Sequence, residues 1–129
     1  MTPEEFIITV ERVQWESERL LRRKQRLLSP RLEDYALIPG LYERYTKLNI
    51  QREMSRRVFV LVIMLLYSPK SLIGRKLNLG LRDELAKLFR CERSLISHLM
   101  RNIVFWYKND KSFRSLADYA LEELGYSDF

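Results

Sequence analysis

At 129 residues the chain is one domain long and can bury about two-thirds of its unfolded surface, so it needs no staple to fold. With 47% hydrophobic and 31% charged residues it falls outside the disordered and membrane classes. Its net charge of +6 is unevenly spread: Met1–Pro69 carries +3, Lys70–Lys111 +6 and Ser112–Phe129 −3. A polyanion is therefore the expected partner of the middle segment, although such a basic stretch also serves as a merely solvated surface.

Cys91 is the sole cysteine and His98 the sole histidine, which excludes an intrachain disulfide and any zinc-site spacing, so no metal is expected. One thiol suits a reducing, cytoplasmic setting. Thr2-Pro3-Glu4-Glu5 is acidic where a secretory signal would be basic. The longest apolar run, Val58–Tyr67, falls short of the roughly twenty residues that span a bilayer, so no membrane association is expected.

Thr2, with Pro3 after it and Glu5 three residues on, forms a capping box with proline at the first helical position. A helix is predicted from there to Leu28. Phe6, Ile7, Val10, Val13, Leu20, Leu21, Leu27 and Leu28 make an apolar stripe along it. Two partners suit this stripe: the chain's own bundle, or a second copy in a homodimer. Arg19, Arg22, Arg23, Lys24 and Arg26 form a basic cluster at the far end. Ser29-Pro30 ends the helix, since proline disfavours the helical conformation of the residue before it.

Arg31–Ile38 reads as a connector whose Tyr35, Leu37 and Ile38 tuck onto the bundle, Pro39-Gly40 as a turn, and Leu41–Lys47 as a short helix. Asn49 is the candidate cap of the next helix. From Ile50 to Tyr67 the pattern becomes apolar on all sides, which fits a central buried helix better than a strand. Arg52, Arg56 and Arg57 at its start either add to a phosphate-facing surface or only solubilise the helix end. Ser68-Pro69 starts a short helical turn, and Arg75–Gly80 follows as an irregular basic loop.

Arg82–Arg101 organises the rest. Leu85, Ala86, Leu88 and Phe89 suit a short amphipathic helix crossed closely at Ala86. A break follows at Arg90-Cys91-Glu92, and a second helix opens at Arg93 or Ser94. Its apolar residues Leu95, Ile96, Leu99, Ile103 and Trp106 recur at three- and four-residue steps. Its other face carries Ser94, Ser97, His98 and Arg101. The helix continues through Val104-Phe105-Trp106-Tyr107, aromatics expected in the core. Asp83 and Glu84 are expected to favour the first helix's N-terminus through its dipole. A last amphipathic helix, Phe113–Leu124, is stopped by Gly125 and carries Asp118, Glu122 and Glu123 outward.

The central alanine, the apolar residue after the turn and the serine-rich second helix resemble the helix-turn-helix superfamily of bacterial regulators. Leu85–Phe89 with Ile96, His98, Arg101 and Ile103 is also similar to the C-terminal domain of the bacterial replication initiator and to Trp-repressor-like domains, with one residue fewer in the turn. Leu66–Leu72 and Gly80–Arg82 resemble small proteins of bacterial mobile elements. Where the family prefers glycine, Arg90 stands here, in a turn position that is often left-handed. The resemblance implies that the second helix enters the major groove of DNA.

No glycine-rich phosphate loop and no nucleophile–histidine pairing appears, so neither an enzyme nor a cofactor is expected. The expected fold is all-α: a single helical domain over 1–129 with five to seven helices around Val58–Leu66, including a long helix at 1–28, the central helix at 50–67, the motif at 81–109 and a last helix at 112–124. The expected function is sequence-dependent binding of double-stranded DNA, in transcriptional control or in replication of a mobile element. Arg93, Ser94, Ser97, His98 and Arg101 are the candidate groove contacts. Lys70, Arg75, Lys76, Arg82, Lys87 and Arg90 are the candidate phosphate contacts. The rival reading is a helical adaptor that works through its long N-terminal helix, with the motif as scaffold.

Overall fold

The computed structural model describes residues 2–73 and 79–126, with all side chains among them except those of 24–27 and 79. The described residues are all-α. Six α-helices follow in order: α1 (Pro3–Leu28), α2 (Ile38–Tyr45), α3 (Arg52–Tyr67), α4 (Leu79–Phe89), α5 (Arg93–Asn109) and α6 (Lys111–Glu123). Short 3-10 turns at Tyr35–Leu37 and Pro69–Ile73 punctuate them.

α3 is the axis of the body. Val58, Phe59, Val60, Leu61, Val62, Ile63 and Leu66 are all 0% exposed, which is why the sequence there is apolar on every side. Each such side chain contributes about 1.5–3 kcal/mol by leaving water. α2, α5, α6 and the Pro69–Ile73 turn pack around α3, and α4 packs on α5. An aromatic cluster ties α2, α3 and α4 together: the Tyr42 ring lies 4.8 Å from Phe59 and 5.5 Å from Phe89. Burial pushes the hydroxyls of Tyr45 and Tyr67 up to about 12. Each donates to a backbone carbonyl, Tyr45 to Ser55 at 2.6 Å and Tyr67 to Asp34 at 2.8 Å.

Local signals set most helix ends. The Thr2 side chain accepts from the Glu5 amide and the Glu5 side chain accepts from the Thr2 amide, as the capping box requires. Asp110 closes α5 and opens α6 by itself, accepting from the Phe113 amide at 3.1 Å. α6 ends at Gly125, whose φ of 91° is open to glycine at no steric cost. On either side of it Arg44 and Arg31 donate to the carbonyls of Leu124 and Tyr126 at 2.9 and 2.7 Å, tying the end of α6 to α2 and to the segment after α1.

Several expectations change. Pro39 and Gly40 do not form a separate turn but lie in the first turn of α2, where proline lacks only an amide hydrogen that would go unused. Asn49 caps nothing: α3 begins after Gln51, without a side-chain cap. Leu37 is 46% exposed, while Ile38 beside it is buried. The largest change concerns α1. Every described side chain from Thr2 to Arg23 is exposed and Leu28 is half-buried, so the stripe from Phe6 to Leu21 does not pack along its own bundle, while Leu27 lies outside the described side chains. Among the described residues no helix is long and apolar enough to cross a membrane.

Candidate nucleic-acid interface

α4 holds α5 against the body. Leu81, Leu85 and Ala86 of α4 are buried, and so are Ile96, Met100 and Ile103 of α5. Ala86 is small enough to let the helices approach, as its position suggested. The inward stripe of α5 keeps Ile96, Leu99, Ile103 and Trp106 of the expected set, but Leu95 is 51% exposed and Met100 is in the core. Phe105 is also outside, 63% exposed, whereas Trp106 and Tyr107 are half-buried.

The turn between the helices has a definite mechanism. The Arg90 amide donates to the Lys87 carbonyl at 3.3 Å and the Cys91 amide to the Ala86 carbonyl at 3.0 Å, the pair of bonds that closes a helix through a left-handed residue. That residue is Arg90, with φ 53°, alone among the described non-glycine residues in being positive. The conformation costs a side-chain-bearing residue about 1 kcal/mol. The chain thus adopts the backbone for which glycine is preferred, and presents a guanidinium there instead. Glu92 then opens α5 in an extended conformation, its carbonyl accepting from the Leu95 amide at 3.1 Å.

The five candidate groove residues divide into two groups. Ser94, His98 and Arg101 are exposed and, with Glu92 and Leu95, line an open depression of about 500 Å³. Phe105 continues the line, since 94, 98, 101 and 105 are four, three and four residues apart and share one side of a helix. Ser97 and Arg93 each have a partner on α4. Ser97 is half-buried and accepts from Arg82 Nη1 at 3.2 Å. Arg93 Nε lies 3.0 Å from Asp83 Oδ1, close enough for an ion pair but misaligned for a hydrogen bond. Because the two side chains are 67% and 42% exposed, the pair is worth at most about 1 kcal/mol. Asp83 and Glu84 lie beyond the first turn of α4, so the expected contribution to its dipole is lost, and Asp83 pairs across the helices.

The candidate phosphate contacts divide as well. Lys70, Lys87 and Arg90 are exposed, Lys70 on the 3-10 turn that packs against α5. Arg82 is half-buried between α4 and α5, its Nε buried without an acceptor. Arg75 and Lys76 lie outside the described residues. Two arginines gain weight from the fold. Arg56 sits over the Phe89 ring at 4.8 Å, next in sequence to Arg90, and Arg57 over the Trp106 ring at 4.5 Å, next to Phe105. Both side chains are exposed, so the start of α3 adds positive charge beside the ends of α4 and α5. Three arginines at helical spacing gave the only sequence signal for this; what they pack against depends on contacts across the fold.

Among the described residues no group of three or more His, Cys, Asp or Glu could hold a metal ion. No family model, no curated protein and no solved structure matches the chain.

Proposed function

We propose that this protein binds double-stranded DNA in a sequence-dependent manner, with α4 and α5 acting as a helix-turn-helix and α5 entering the major groove. The observation that carries the reading is the outward line of Ser94, His98, Arg101 and Phe105 on a helix whose opposite side is fixed in the core. Such a line matches what a groove offers. Arg101 can pair with two acceptors of guanine, His98 and Ser94 can bond to bases or phosphates, and an exposed phenyl ring suits a thymine methyl. Glu92, the one carboxylate lining the depression, is an acceptor of the type that reads the cytosine amino group.

Lys70, Lys87, Arg90, Arg56 and Arg57 supply the sequence-independent part of the affinity by neutralising phosphates. Asp118, Glu122 and Glu123 would repel a polyanion, and they sit on α6. The biological setting that fits the resemblance is transcriptional control or replication of a mobile element. Selection from a pool of random duplexes tests the reading. An enriched motif a few base pairs long is the expected result, and a pool that stays flat over successive rounds contradicts it.

A further inference from the structure

α1 carries an apolar stripe that the other described residues leave uncovered. Phe6, Val10, Val13, Ser17 and Leu20 recur at alternating four- and three-residue steps, the spacing of a helix pair seam, with Ile7 and Leu21 beside them. Phe6, Ile7, Val13, Leu20 and Leu21 are each more than half exposed. The helix has 26 residues and is therefore about 39 Å long. It meets the body at the Pro69–Ile73 turn. Most of the stability of an amphipathic helix in a protein comes from packing its apolar side.

The charges on α1 identify the cover. Between residues 3 and 18 stand five glutamates and one arginine, while residues 19–28 hold four arginines and Lys24 and no acid. A parallel copy would set acid against acid and base against base. An antiparallel copy sets each acidic half against a basic one and also opposes the two helix dipoles. A helix that lies on a lipid surface would instead carry Lys and Arg along its whole polar side.

From this polarity and the uncovered stripe we infer that α1 is a self-association arm, pairing antiparallel with α1 of a second copy of the chain. An antiparallel overlap centred on Trp15 places Val10 against Leu20 of the other copy and Val13 against Ser17, so that the apolar side chains interlock around the middle of α1. This inference is independent of DNA binding, because none of the α1 residues belongs to the α4–α5 surface.

Sedimentation velocity on the full chain over the micromolar range tests association. A species of twice the 15.6 kDa chain mass is expected, and a monomer throughout overturns the inference. Val10→Asp combined with Leu20→Asp should return the protein to a monomer with an unchanged thermal melt of the body, since both side chains are outside the core. A variant that still dimerises assigns the contact to another surface and overturns it. Orientation is read by disulfide formation in a Cys91→Ser background. Mixed Val10→Cys and Leu20→Cys chains should cross-link to each other several-fold more than either does alone. Preferential Val10–Val10 cross-linking would mean parallel pairing, and overturns the arrangement. Co-sedimentation of a monomeric chain with phosphatidylglycerol vesicles would assign the stripe to a lipid surface and overturn it as well.

Discussion

Arg82 Nη1 donates to Ser97 Oγ at 3.2 Å, joining the start of α4 to the first half of α5. This bond engages the Ser97 hydroxyl and makes it part of what fixes the angle between the helices. Ser97→Ala takes the acceptor from Arg82 Nη1, beside an Arg82 Nε that already lacks one. A loss of about 1–3 kcal/mol in urea unfolding is expected. If stability is unchanged, water satisfies Arg82 and the bond is ornamental.

Arg101 and Lys87 should fail in different ways. Arg101→Ala is expected to cost about 1–3 kcal/mol for a selected duplex and less for a random one, whereas Lys87→Ala should weaken both equally and flatten the salt dependence. Anisotropy titrations of both duplexes at graded salt make the comparison. Equal losses for the two variants would contradict the division of labour.

Arg90 separates stability from binding. At φ 53°, Arg90→Gly removes a backbone cost, and the free energy of unfolding should rise by about 0.5–1 kcal/mol. The same change removes an exposed guanidinium, so DNA affinity should fall. A destabilised Arg90→Gly protein would mean that the side chain's contacts outweigh the strain.

Tyr45 and Tyr67 make the fold sensitive to alkali. Their hydroxyls hold their protons up to about 12, while in the unfolded chain they titrate near 10. Between these values the folded state binds more protons, so stability falls as pH rises, by at most about 1.4 kcal/mol per pH unit for each tyrosine. Below pH 10 these groups contribute their full stability. Denaturant midpoints from pH 9 to 12 check this, and Tyr67→Phe should flatten the slope; an equal slope in the variant would place the effect elsewhere.

What could be read in the sequence was local. The Thr2–Glu5 box, the all-apolar α3, the break at Arg90–Glu92 and the stop at Gly125 each depend on neighbours within a few residues, and each recurs in the structure. Leu95 and Ile96 show the limit. They are adjacent, so either can face inward on periodicity alone, and the choice fell to where α3 and α4 lie. Ser97, Arg93 and Arg56 show the same limit for the interface: their partners are on other helices, and no spacing within α5 or α3 announces them. The stripe on α1 was visible, but its surroundings were not.

The proposed role of α5 is tested most directly by two-dimensional amide NMR of the full chain titrated with a selected duplex. Perturbations should gather at Ser94, His98, Arg101 and Phe105, with smaller ones at Lys87 and Arg90, and should spare Asp118, Glu122 and Glu123. Perturbations centred on α6, or none along α5 at saturating duplex, would contradict it.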